Sequence, residues 1–140
     1  MMVDAGQSKI TRPSWGGRVF ILLNVVMACL FLVGCAVQYN DPDPFVWMAL
    51  YGVAAVNAGF AAAKRYTYWS FVGAAAYLLY AVYLLPWGFL GESLFIRPTW
   101  HMISDRNELA REAVGLSVCA VWMLVTGGAW WQRRHRNTAP

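Results

Sequence analysis

Two short segments of this 140-residue chain concentrate the side chains that could act as acids, bases or oxygen ligands. The first is residues 38–44, with the sequence QYNDPDP, and the second is residues 104–112, with the sequence SDRNELARE. The candidate site residues are Gln38, Asn40, Asp41, Asp43, Glu108, Arg111 and Glu112. Oxygen groups of this kind can bind a divalent cation, an amine or a lipid headgroup, and an arginine can hold a carboxylate in a salt bridge.

Part of the first segment has a structural explanation. Asp43 is suited to cap a helix that follows it, and Pro44 is suited to the first helical position, where a missing N–H costs no hydrogen bond. Pro42 favours an extended backbone at Asp41. The segment is therefore predicted to be a stiff connection into a helix.

The remaining polar residues support two alternatives that the sequence leaves open. In the first, Asp41 pairs with Arg111 and clamps the first loop to the last helix. In the second, a pocket binds a divalent cation, an amine or a headgroup through Asp41, Glu108 and Glu112, together with His101. Because the spacing matches no specific metal site, we predict no metal ion, no cofactor and no catalytic residue.

The elements that must position these residues follow from the distribution of charge. Only 13% of the residues are charged, against about 25% in a soluble domain. Four stretches have no charged residue, namely 19–40, 44–63, 66–91 and 113–132. Each is long enough for a helix to cross a hydrocarbon core of about 30 Å, and a helix satisfies its own backbone polar groups in lipid.

The sequence therefore predicts an all-α integral membrane protein that forms a four-transmembrane-helix bundle. The predicted spans are 19–37, 45–63, 68–86 and 113–131, and the predicted outer loops are 38–44 and 87–112. Asp105 followed by Glu108 fits a capping box, so the fourth helix is expected to begin near Asp105, before the hydrocarbon.

The basic residues predict the orientation of this bundle. Eight of the eleven fall on one side of a four-span layout, and the positive-inside rule makes that side cytoplasmic, with both termini. They are Lys9, Arg12, Arg18, Lys64, Arg65, Arg133, Arg134 and Arg136. The chain would then consist of a cytoplasmic arm (1–18), a transmembrane domain (19–132) and a basic cytoplasmic tail (133–140). The net charge of +4 reflects this orientation, and no nucleic-acid partner is predicted.

The first span has an alternative interpretation. Leu32-Val33-Gly34-Cys35, after basic residues and an apolar stretch, is similar to a bacterial lipoprotein signal. Cleavage before Cys35 would leave three spans and an outer N-terminus.

Polar and small residues within the spans predict the packing of the helices. Asn24 and Asn57 lie at matching depths of roughly 8 Å, and a hydrogen bond between them is predicted, with ligand binding as the alternative. The short turn at 64–67 makes the second and third spans antiparallel neighbours. Their alanine-rich faces are therefore expected to meet.

The two polar segments also match a family pattern. The string QYNDPDP followed by Trp47-x-x-x-Tyr51, together with ELAREAVGL at 108–116, resembles the transmembrane protein 220 family. That family consists of small four-helix membrane proteins with a Q-x-N-D-P-D-P loop after helix one and an E-x-x-R-E-x-x-G-L segment at the start of the last helix. The matching positions are Gln38, Asn40, Asp41, Pro42, Asp43, Pro44, Glu108, Arg111, Glu112, Gly115 and Leu116. The resemblance implies the fold and the topology, and it implies no specific activity.

Three functions are compatible with these features. The favoured one is a non-enzymatic accessory, assembly or scaffold module, because no catalytic constellation is recognisable. The second is an outward-facing ligand- or cation-binding protein or enzyme that uses the acidic cluster. The third is a small transporter, which would normally need a carboxylate within the membrane. The predicted partners are the lipid bilayer and either a larger membrane complex or further copies of the chain.

Overall fold

The computed structural model describes residues 15–41, 43–89 and 105–138. These residues form four α-helices and one short 3-10 helix between the first two. The α-helices are α1 (Trp15–Val37), α2 (Pro44–Ala62), α3 (Trp69–Phe89) and α4 (Asp105–Thr138), and the 3-10 helix is Gln38–Asn40. The predicted all-α bundle with four helices is confirmed.

The helices have the length and composition of membrane spans. Three of them qualify over Gly16–Val37, Pro44–Ala62 and Arg111–Asn137, and the described apolar part of α3 is the shorter stretch Trp69–Leu84. Large apolar side chains cover the outside of the bundle, as expected where the solvent is lipid. The protein is an integral, multi-pass membrane protein.

The last helix is longer than its predicted span at both ends. It begins at Asp105, as the capping pattern indicates, and it continues to Thr138. Arg133, Arg134 and Arg136 therefore lie on the helix. A helical end is favourable for them because basic side chains near a helix C-terminus interact with its partial negative charge.

The four helices pack as two close pairs, α1 with α2 and α3 with α4, and α2 also contacts α4. The expectation that the alanine-rich faces of α2 and α3 meet is therefore wrong. On α2 the buried small residues are Ala54, Ala55, Ala58 and Ala61, whereas Gly59 is exposed. Ala54, Ala55 and Ala58 pack into a core cluster to which all four helices contribute.

Longer side chains join α2 to α3. The Tyr77 hydroxyl donates to the Leu50 carbonyl at 2.5 Å, and the Trp47 and Tyr80 rings stack with centroids 6.0 Å apart. Trp47 is buried although it lies in the first turn of α2. These contacts span a wider gap than two alanine faces would leave.

The connection from α2 to α3 begins with a Schellman motif. The Arg65 N–H donates to the Phe60 carbonyl at 2.8 Å, and the Lys64 N–H donates to the Ala61 carbonyl at 3.0 Å. Lys64 has a φ of 60°, a left-handed conformation in which glycine is the usual residue. The motif reverses the chain and places two cations at this end of the bundle.

Candidate functional site

The loop after α1 is ordered by its own backbone. The Asp41 N–H donates to the Gln38 carbonyl at 3.1 Å and closes the 3-10 turn. Asp41 is extended, with φ −79° and ψ 157°, which confirms the conformation predicted from Pro42. The Gln38 and Asp41 side chains are both half-buried.

Asp43 and Pro44 occupy the predicted positions at the start of α2, but the capping differs from the expectation. The Asp43 side chain forms no capping hydrogen bond, and it is exposed. Its backbone carbonyl accepts from the Val46 N–H at 3.2 Å. The carboxylate of Asp43 is therefore not required to begin the helix.

The second polar segment forms the first turns of α4. Glu112 is half-buried, Arg111 is exposed, and Ala113 and Leu116 on the same turns are buried in the core. Glu108 lies one helical turn before Glu112. His101 lies outside the described residues, as do the side chains of Asn40 and Glu108. The core contacts fix the rotation of α4 and so set the direction of its polar face.

Tyr51 of α2 connects the two polar segments. Its ring lies against the backbone of α1 at Gly34, where an added Cβ would be 2.9 Å from Cδ1. Its hydroxyl lies against α4 at Gly115, where an added Cβ would overlap the oxygen. Only glycine lets the backbones of both helices approach the tyrosine this closely.

The charged groups of both segments lie around this tyrosine. Tyr51 interacts electrostatically with Asp41 from the loop and with Arg111 and Glu112 from α4. Glu112 also interacts electrostatically with Tyr80 of α3. Asp43 of the loop also interacts electrostatically with Tyr80. The site thus combines a loop and three helices, and it contains three acids, one cation and two phenols.

The family model described as "Transmembrane family 220, helix" matches residues 30–127. The chain belongs to this family. The match covers well over half of the chain and includes both polar segments, Tyr51 and the two glycines that contact it. No solved structure matches the chain. The function of transmembrane family 220 is not established.

In this family 220 protein, Asn57 is the centre of a second polar group, at the opposite end of the bundle. Its Nδ2 donates to the Thr126 Oγ1 at 2.9 Å, and its Oδ1 accepts from the Ser70 Oγ at 2.7 Å. Thr126 in turn donates to the Met123 carbonyl at 3.0 Å. Asn57 therefore connects α2 with both α3 and α4.

Asn24 has a different partner from the one predicted. Its Nδ2 donates to the Phe20 carbonyl of its own helix at 2.8 Å, and its Oδ1 accepts from the Trp122 Nε1 at 3.1 Å. The predicted Asn24–Asn57 hydrogen bond is thus wrong. Both amides bond to α4, where their partners Trp122 and Thr126 are one helical turn apart.

The described polar side chains inside the bundle are satisfied by the protein itself. No buried side-chain nitrogen or oxygen in the described residues lacks a hydrogen-bond partner. Within the same residues, no group of three or more His, Cys, Asp and Glu side chains is arranged to hold a metal ion. The described polar side chains of the interior therefore serve to form hydrogen bonds, mostly between helices.

Several of these contacts were not predicted from the sequence. Tyr51 belongs to the Trp47-x-x-x-Tyr51 motif and could have been found, because residues four apart on a helix share a face. Trp122 and Thr126 have the same spacing on α4. Ser70 gives no such signal, since a single serine in a membrane span is common.

Proposed function

We propose that this family 220 protein is a non-enzymatic membrane module that serves as an accessory, assembly or scaffold subunit of a larger membrane complex. The observation that carries the proposal is the interior of the bundle, where polar side chains form hydrogen bonds from one helix to another. A transport or catalytic site within a membrane would direct such groups toward a ligand. Here they hold the helices together.

We also propose an orientation of the bundle in the membrane. One end of the bundle holds Lys64, Arg65 and the three arginines of the last turns of α4, which are Arg133, Arg134 and Arg136. Asp41 and Glu112 lie at the other end, together with Arg111. The positive-inside rule then places both termini in the cytoplasm and the Tyr51 site on the outer side.

A subunit of a complex should contact another polypeptide through its membrane-facing side. A photoreactive phenylalanine analogue at Phe45, which is 84% exposed, and at Phe60, which is 49% exposed, is expected to form adducts of defined mass with another protein after irradiation in the native membrane. The measurement is the mass and identity of the adducts after denaturing purification.

Phe31, which is 4% exposed, provides the matched control, because the analogue there can reach only the chain itself. Adducts with lipid alone at both exposed positions would contradict the proposal. An adduct with a second copy of the chain alone would also contradict an accessory role in a larger complex.

A second candidate function is favoured by the charges around Tyr51. Asp41, Arg111 and Glu112 come from separate segments, yet all three interact electrostatically with the same hydroxyl-bearing side chain. This arrangement would suit either a clamp between Asp41 and Arg111 or an outward-facing site for a cation or an amine. Of the two we favour the clamp, because an arginine that neutralises a carboxylate weakens its attraction for a cation.

Stability and binding separate the two interpretations. With a clamp, Asp41→Asn is expected to lower the free energy of unfolding by about 0.5–1 kcal/mol, and its effect should be smaller when Arg111→Gln is already present. Asp43→Asn is the matched control in the same loop, because its carboxylate is exposed and interacts with Tyr80 and not with Tyr51, so its effect should be smaller than that of Asp41→Asn. The measurement is unfolding in mixed micelles, with calcium binding by calorimetry in parallel. If the Asp41→Asn and Glu112→Gln variants both fold normally but no longer bind calcium, the residues form a ligand site and the clamp interpretation is wrong.

A further inference from the structure

A cleft of about 260 Å³ opens where the α2–α3 connection meets the last turns of α4. Its lining residues are Lys64, Tyr66, Trp130, Arg133, Arg134 and Asn137. Half of these lining residues carry a positive charge, and none of the six is acidic. A concave surface that carries only positive charges attracts an anion.

Arg133 is held in position on the wall of the cleft. Its Nη1 donates to the Lys64 carbonyl at 3.3 Å, and its guanidinium lies 4.3 Å from the centroid of the Tyr66 ring. The bond to Lys64 uses one of the five N–H donors of an arginine. A guanidinium held in this way loses little freedom when it binds a phosphate with two parallel N–H donors.

The other two cations of the cleft, Arg134 and Lys64, are each held near it by a different local feature. Arg134 lies 5.4 Å from the centroid of the Trp130 ring. Lys64 occupies the left-handed position of the Schellman motif, a conformation that is strained for residues with a Cβ. This conformation places a cation at the turn, where glycine would be the less strained choice.

The aromatic residues around the cleft indicate its level in the membrane. Tyr68, Trp69 and Trp131 are exposed at this end of the bundle, and Trp130 lines the cleft. Tyrosine and tryptophan collect where the hydrocarbon meets the headgroups. An anion at this level is most readily supplied by the membrane itself.

We propose that this cleft binds the phosphate group of an anionic membrane lipid in the leaflet at the Lys64 end of the bundle. Its volume is below the roughly 300–1,000 Å³ of sites for drug-sized ligands, and it suits a headgroup whose acyl chains remain outside. Basic pockets between helices recognise lipids in this way. Because Trp130, Arg133, Arg134 and Asn137 follow the family match at residues 30–127, the cleft is a property of this chain rather than of the matched region.

The test is native mass spectrometry of the purified full-length protein, titrated with phosphatidylglycerol and, in parallel, with zwitterionic phosphatidylcholine. Phosphatidylglycerol is expected to bind more tightly, and Arg133→Gln should weaken its binding about tenfold, as for the loss of one charge-assisted contact. Arg133→Lys keeps the charge but not the paired donors. Its affinity for phosphatidylglycerol should therefore lie between those of the native protein and Arg133→Gln. If Arg133→Gln does not fold, Lys64→Gln removes a lining cation while keeping the backbone carbonyl.

Arg136→Gln is the matched control, because Arg136 is an exposed cation on the same helix that does not line the cleft. It should change the affinity by less than about twofold, because an exposed charge contributes through screened, diffuse attraction. An equal loss in Arg136→Gln and Arg133→Gln would overturn the proposal in favour of such attraction. Equal binding of both lipids would also overturn it, and so would complete displacement of the lipid by millimolar inorganic phosphate.

Discussion

Substitution of Gly115 by alanine is expected to destabilise the bundle by about 1–3 kcal/mol, the usual cost of forcing an extra methyl group into a packed site. The new Cβ would overlap the Tyr51 hydroxyl. The tyrosine cannot swing away easily, because its ring is already held against Gly34 of α1. The loss would appear as a shift of the unfolding midpoint in mixed micelles.

Two comparisons isolate this contact. Gly128→Ala adds the same methyl group to the same helix at a position with no atom within 4 Å of the added Cβ, so it should not be destabilising. In a Tyr51→Phe background the overlapping oxygen is gone and the next atom, Cζ, is 3.2 Å from the added Cβ. The cost of Gly115→Ala should then be smaller. Equal stabilities of the two alanine variants would contradict the role assigned to Tyr51.

The second large effect is expected at the other end of the bundle. Replacing Asn57 with leucine, which is similar in size, should destabilise the protein by about 1–2 kcal/mol. Two interhelical hydrogen bonds would be lost, each with an average of about 0.6 kcal/mol in membranes. The buried Ser70 hydroxyl would also lose its acceptor, at an additional cost. Thr126 keeps its bond to the Met123 carbonyl and is less affected.

A double-mutant cycle tests whether this cost arises from the hydrogen bonds. Ser70→Ala with Thr126→Val removes both partners, and Asn57→Leu should cost markedly less in that background than in the native chain. Strictly additive effects would mean that Asn57 acts through packing alone. The readout is again the free energy of unfolding.

The sequence predicts the helices of this protein well, because the signal for a membrane span is local. A charge-free stretch of sufficient length has few stable alternatives in lipid, and the start of α4 at Asp105 agrees with the position predicted from the local Asp105–Glu108 pattern. The extended backbone of Asp41 is predictable for the same reason, since it depends only on the proline that follows.

The partners of the polar residues are less predictable because they depend on the order of helices around the bundle. The sequence predicts a common depth for Asn24 and Asn57 and hence a bond between them, but α4 supplies bonding groups for both. Likewise, the short turn at 64–67 makes α2 and α3 sequential without making them the closest pair. The Tyr51 site needs Gly34 and Gly115 on two other helices, and no local pattern connects those three positions.

The dependence of so many contacts on α4 has a consequence for biogenesis. Helices leave the ribosome in chain order, so α1, α2 and α3 emerge before Trp122, Thr126 and Gly115 exist to receive Asn24, Asn57 and Tyr51. During that interval these polar groups face lipid, or the insertion machinery, without their final partners. We therefore expect the nascent chain to be more susceptible to quality-control proteases before α4 is made than after α4 has packed against α1, α2 and α3.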